Sequence, residues 1–314
     1  MAPKPMVLSL TFMLLTAASP GGSREGRPLI KKLGTLDCDM VETTPVVFKG
    51  RLYRFEYVRT NYKPNQTGKS YFRFIDVDSG KPTPAFAVDY HFGSAIIDKD
   101  TVYVYGVEGR RAPRIQVFWS KDLKTWESQT ALTLPGYVSY NTSVCKDSER
   151  YVMAFEIENP PHGFCMRFAL STDLRNWKLT PSECVYSREK YTACGTLRSL
   201  DGLYYMIYLE AIPGWEFEPH IVRSRDLIHW ESSSFNPVLQ HSPEDKLIAN
   251  PMLTPEQREH IAQAVDINNS DVDLCEFKGK TIIYYSWGNQ KGIEFLGEAV
   301  YEGSLASFLR GFFP

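Results

Sequence analysis

Long apolar runs are almost absent from this sequence, and so is any excess of charge. Beyond residue 23 no stretch approaches the ~20 apolar residues a helix needs to cross a bilayer, so no membrane span is expected. Lys and Arg number 35 against 37 Asp and Glu, a net charge of −2. Nothing basic enough to track a phosphate backbone remains, which sets nucleic-acid partners aside. The six cysteines show none of the short spacings of a zinc site, so neither a metal nor a cofactor is expected. What is plentiful is aromatic. The chain carries 18 Tyr, 18 Phe and 6 Trp, a composition that favours β-structure.

The apolar exception stands at the start. Lys4 precedes a short apolar run from Met6 to Ala18, followed by small residues up to Ser23. This reads as a signal peptide over residues 1–23, leaving 24–314 as one secreted, extracellular domain. An even cysteine count in such a chain allows disulfides. Cys165 and Cys184 lie symmetrically about the turn Ser171–Asn176 and are expected to face each other across a hairpin. Sequons at Asn65, Asn141 and Asn268 make it a candidate glycoprotein.

The main signal is a repeat. The segments starting at Ser120, Ser171 and Ser224 all read S-x-D-L-x-x-W, and they begin 51 and 53 residues apart. Each follows an alternating strand, and its Ser and Asp can close a turn through side-chain bonds to the backbone. A strand-turn-strand unit precedes each copy. It recurs from Glu42, His91, Asn141, Cys194 and Asp271, at spacings of 49, 50, 53 and 77 residues. Five such units, each followed by a second hairpin, make four-stranded blades arranged around an axis. The fold class is therefore all-β, a five-bladed β-propeller with a short helical insertion before the last blade. That insertion accounts for the longest spacing, with Thr254 as N-cap, Pro255 in the first turn and Gln257 at the third position. Blade one lacks the Trp motif and turns at Asp78-Ser79-Gly80, and the aromatic C-terminus from Phe308 is suited to docking.

The register also predicts a face. First strands starting at Glu42, His91, Asn141, Cys194 and Asp271 would put these residues around one rim of the axis. The ends of the second strands would add Glu56, Arg59, Glu108, Arg110, Arg111, Glu156, Glu158, Glu210, Trp287 and Asn289. Carboxylates that converge in a cleft can divide into a general acid and a general base, the pairing that glycosidic cleavage needs. Glu42 or Asp271 is the expected base and Glu210 the expected acid. Arg59, His91, Glu108, Arg110, Asn141 and Glu158 would bind the substrate, with Trp287 as a stacking face for a sugar. Glu56 and Glu108 could equally pair with Arg59, Arg110 or Arg111. Cys145 and Cys275, at equivalent inner-strand positions, are expected in the core.

With these features the chain, over roughly residues 37–314, resembles the five-bladed propeller glycoside hydrolases, the group that includes families 43, 62, 32, 68, 117 and 130. In family 43 the first blade opens on an Asp that serves as general base. Glu42, eight residues before Gly50, stands in that place. Asn141 stands where the family has the carboxylate that tunes the acid, and Cys194 where it has the acid itself. The resemblance implies a carbohydrate substrate and a single-displacement, inverting hydrolysis of a terminal or near-terminal sugar. A phosphorylase similar to family 130 would use Arg59, Arg110 and Arg111 to bind phosphate. A non-catalytic carbohydrate-binding propeller is the third reading, favoured by Asn141 and Cys194.

Overall fold

The structure is a computed structural model that describes residues 26–109, 111–214 and 216–314. The expected leader over 1–23 and Arg110 lie outside the described residues.

The first strand, β1 (Ile30–Cys38), stands apart from its neighbours in sequence. Blade one holds β2 (Thr44–Phe48), β3 (Arg51–Val58) and β4 (Tyr71–Asp76). Blade two holds β5 (Tyr90–Asp98), β6 (Thr101–Glu108), β7 (Arg114–Ser120) and β8 (Glu127–Thr133). Blade three holds β9 (Ser139–Lys146), β10 (Tyr151–Glu158) and β11 (Phe164–Ser171), edged by the short β12 (Lys178–Leu179) and β13 (Val185–Tyr186). Blade four holds β14 (Thr192–Leu200), β15 (Leu203–Ile212), β16 (Glu216–Ser224) and β17 (Trp230–Ser232). Blade five holds β18 (Asn268–Phe277), β19 (Lys280–Gly288) and β20 (Glu294–Tyr301). Its fourth strand is β1, which pairs antiparallel with β20 from Ile30–Tyr301 to Cys38–Phe295. The five-bladed propeller is as the repeat predicts; the closure of its last blade by the N-terminal strand is not read from the repeat.

The repeated turn owes its shape to local hydrogen bonds. Ser120 Oγ accepts the N–H groups of Asp122 and Leu123, and Asp122 Oδ1 accepts those of Lys124 and Thr125. The same bonds recur at Ser171–Asp173 and Ser224–Asp226. In each copy the Leu is left-handed, with φ of 60° at Leu123, 64° at Leu174 and 65° at Leu227. That conformation is unfavourable for a side chain of this size, and burial of all three leucines offsets it. The inner hairpins turn on left-handed pairs such as Lys49-Gly50 and Asp201-Gly202, which match the twist of the flanking strands.

Alternation along each strand sends side chains into the two neighbouring interfaces. Val102 and Val104 pack towards blade one, while Tyr105 and Val107 pack towards blade three. A separate apolar cluster fills each of the five junctions. The predicted insertion is helix α1 (Pro255–Gln263), with the reciprocal Thr254–Gln257 capping box in place. The C-terminus forms α2 (Leu305–Gly311), and Phe308 and Phe312 are docked into the junction of blades four and five.

Three expectations are corrected by packing. Val185 pairs with Arg167, so Cys184 and Cys165 fall on opposite faces of blade three, in different junctions, and both are free thiols. Asn268 is fully buried and its side chain accepts the N–H of Phe217, so that sequon is closed to a glycan. Cys145 is a buried core residue as expected, whereas Cys275 is only partly buried.

Candidate active site

Four of the five innermost strands share one irregularity. In β5 the pairing jumps from His91–Val107 to Ser94–Tyr105, so two residues oppose one. The same bulge lies between Ser139 and Thr142 in β9, Ala193 and Thr196 in β14, and Ser270 and Asp273 in β18. A bulge bends its strand and re-aims the side chain that it carries. Glu42, Cys194 and Asp271 hold positive φ values of 54°, 50° and 48°. This strained backbone is of the kind that gathers at functional sites. Phe92 occupies the matching place in blade two, also with φ of 54°.

Three of these bulges, together with the left-handed residue Glu42 just ahead of β2, bring Glu42, Asn141, Cys194 and Asp271 to one cavity of about 40 Å³ on the axis. One donor atom each from Glu42, Cys194 and Asp271 lies within 4.8 Å of the other two. Such a set could also hold a cation, a possibility hidden from sequence spacing because the three residues come from three different blades. Asn141 donates its amide to Glu42, to Glu156 Oε2 at 3.4 Å and to Cys194 Sγ at 3.3 Å. Deeper on the axis, Ser94 and Thr142 bond to each other at 2.9 Å, and Asp273 takes Arg198 at 2.5 Å.

Electrostatics distinguish these acids. Burial first, then the negative charge of Asp271, pushes the Glu42 carboxyl up to about 8. Burial likewise pushes Glu156 up to about 7, although it accepts the Cys194 N–H at 2.9 Å. Burial and the surrounding carboxylates drive the Cys194 thiol well above its ordinary range, so it is a neutral thiol rather than a nucleophilic thiolate. Arg59 faces this group, but its guanidinium is paired with Glu294 at 3.1 Å.

The remaining expected residues lie elsewhere. His91 is one position out of register, buried between Tyr57 OH at 2.5 Å and Ser70 Oγ at 3.2 Å. Trp287 is 1% exposed, stacked on Phe295 and bonded to Thr35, so it offers no face to a sugar. Glu210 sits beside Lys190, Tyr208 and His220; burial raises its carboxyl, but these hydrogen bonds prevail and hold it at about 2. It therefore stays ionised, the wrong state for a proton donor at neutral pH. Glu108 pairs with Arg114, Glu158 with Arg111, and the fully buried Glu56 with Arg54 and Arg73. Glu156 was visible in sequence only as one strand end among many. Its distinguishing feature is burial beside the β14 bulge, which no local pattern encodes.

The fold defines the class as a five-bladed β-propeller. Similar solved structures are those of glycoside hydrolases, at identities that carry the fold alone. A glycosyl hydrolase from Bacteroides ovatus shares 14% identity at a TM-score of 0.56, covering 89% of this chain and 92% of that one. An α-L-arabinofuranosidase from Podospora anserina, solved with cellotriose, shares 10% at 0.55, covering 91% and 94%. A xylan β-1,4-xylosidase from Bacillus halodurans shares 11% at 0.56, with 85% of this chain spanning 53% of that longer enzyme. No family model matches the chain, and no curated protein matches it.

Proposed function

We propose that this chain is a secreted glycoside hydrolase that removes a terminal or near-terminal sugar by carboxylate acid/base chemistry. The observation that carries the proposal is the convergence of Glu42 and Asp271 on one axial cavity, with a proton retained on Glu42. Two acids in one cavity can divide the roles of donor and anion, and the proton held on Glu42 makes it the donor. Glu42 then protonates the glycosidic oxygen, and the Asp271 carboxylate faces the anomeric carbon. Their donor atoms, within 4.8 Å of each other, fit the roughly 5–5.5 Å of a double displacement better than the roughly 6.5–9.5 Å of an inverting pair. Asp271 would form the glycosyl ester as the aglycone leaves with the proton of Glu42. Water would then cleave the ester, with Glu42 taking back a proton. The fold shared with an arabinofuranosidase and a xylosidase makes pentosides the first substrates to try.

Phosphorolysis is less well supported, because Arg59 and Arg111 are already engaged by Glu294 and Glu158. A binding-only propeller draws support from Asn141 and Cys194, which bring no carboxylate to the cavity. The test is turnover of aryl α-L-arabinofuranosides and β-D-xylosides by the purified chain, with and without phosphate. Glu42→Gln and Asp271→Asn should each lower kcat by about 10²–10⁴ while both variants remain folded. Wild-type turnover in both variants would exclude this chemistry, and binding without turnover would favour the third reading.

A further inference from the structure

The chain between β17 and β18 forms a strap across the outer edge of β1. Thr35 donates its N–H to the Leu247 carbonyl at 2.7 Å and accepts the N–H groups of Ala249 and Asn250 at 3.0 and 3.2 Å. Gly34, with φ of 110°, lies so close to the Leu247 carbonyl that no Cβ would fit. Because β1 is the outermost strand of blade five, the strap covers an edge that another strand could pair with.

One buried cluster fastens the strap. Asp245, in the single 3₁₀ turn Pro243–Lys246, is fully buried and accepts Lys32 Nζ at 2.7 Å and Tyr285 OH at 2.6 Å. It therefore ties the strap to both β1 and β19. Lys32 Nζ also reaches Gln240 O at 2.6 Å, Ser242 Oγ at 3.1 Å and Asn269 Oδ1 at 2.8 Å. Its three hydrogens are thus already divided among four acceptors. A buried ion pair accounts for Lys32 with Asp245, but not for the second acid. Asp266, at the far end of the strap, brings its carboxyl against that of Asp245, and its Oδ1 is buried without a donor from any other described residue. Two carboxyls can hydrogen-bond to each other only when one of them carries a proton.

The other charged groups near the cluster leave this unchanged. Glu244 is exposed, and Lys246 turns to the Ala262 carbonyl at 3.3 Å. Burial first, then the charge of Asp245, raises the Asp266 carboxyl from an ordinary 3.8 to about 8. We infer that the Asp245–Asp266 pair is a pH-sensitive latch, closed while the two acids share a proton and released when both ionise beside Lys32. Release frees the strap and uncovers the edge of β1, whether or not the axial cavity is catalytic. The latched form holds a proton that the released form gives up, so closure is strongest in acid and weakens as pH rises towards about 8.

The test is hydrogen exchange of the full chain, read by mass spectrometry from pH 5 to pH 9 and corrected for the intrinsic rate at each pH. A structural readout is needed because turnover also carries the titration of Glu42. Protection of the Thr35, Ala249 and Asn250 amides should fall about tenfold per pH unit from pH 5 to pH 7, as loss of one proton requires, and level off above about pH 8. Asp266→Asn, whose amide can donate to Asp245 but cannot ionise, should give a flat profile over the same range. Asp266→Ala, which leaves the Lys32–Asp245 pair whole, should do the same and serves if the first variant does not fold. Flat protection in the wild-type chain, or a wild-type slope that the variants retain, would overturn the latch.

Discussion

Glu156 provides the sharpest physical test. It is 3% exposed, and burial raises its carboxyl to about 7 against an ordinary 4.5. Folding therefore favours the protonated form, so the native state holds more protons than the unfolded chain between those two values. The sign follows directly: stability must fall as pH rises from about 4.5 to about 7, and the loss is complete above that. Each pKa unit is ~1.36 kcal/mol, so a shift of about 2.5 units makes the loss about 3 kcal/mol. For a domain of this size that corresponds to about 5 °C in melting temperature. Glu156→Gln keeps an oxygen for the Cys194 N–H and cannot ionise, so its share of the pH slope disappears. Melting curves of both proteins from pH 4 to pH 9 should lie close together at the acidic end and diverge with rising pH, the variant being more stable. Parallel curves would refute the claim that this carboxyl is buried at a cost.

Four further outcomes follow. If Glu42 is the proton donor, turnover should fall as pH rises through about 8, and a profile flat to pH 10 would remove it from that role. Ser171→Ala deletes the acceptor for two backbone N–H groups and should cost about 1 kcal/mol in denaturant melts. Trp287→Ala should destabilise by ~3–5 kcal/mol, as truncation of a buried aromatic does; an unchanged melting temperature with weakened sugar binding would reinstate it as a stacking face. Thiol titration in denaturant should find Cys165 and Cys184 reduced, and a mapped Cys165–Cys184 disulfide would contradict the register of β11 and β13.

The propeller was legible because its signals are local. The Ser-Asp turn, the left-handed hairpin pairs and the Thr254 capping box each lie within a few residues, so their chemistry shows in sequence. The axial residues Glu42, Asn141, Cys194 and Asp271 were also legible, since a repeat carries each blade's register to the next. The register was less certain at the bulges. His91 lies one position before Phe92, the true counterpart of Glu42, Cys194 and Asp271, so it is buried away from the cavity that Gly93 and Ser94 line. The clue was present in Phe92-Gly93 and Cys194-Gly195, where a glycine follows the bulge residue. Trp287, Glu210 and Glu156 depended on neighbours distant in sequence. Thr35, Lys190 and the Cys194 N–H determine their environments, and no periodicity reports such partners.

The pairing of β1 with β20 has a consequence for how the molecule is made. Tyr301, the partner of Ile30, lies beyond the other four blades in the sequence. β1 must therefore wait, its edge unpaired, until β20 has been made. Pairing over so long a loop is slow to form, and open edges invite association with other chains in the meantime. Blades one to four can assemble in order of synthesis, but the ring closes only once. Loss of β1 would then leave the edge of β20 open in blade five, so these two strands should behave as one unit in folding although four blades separate them in the sequence.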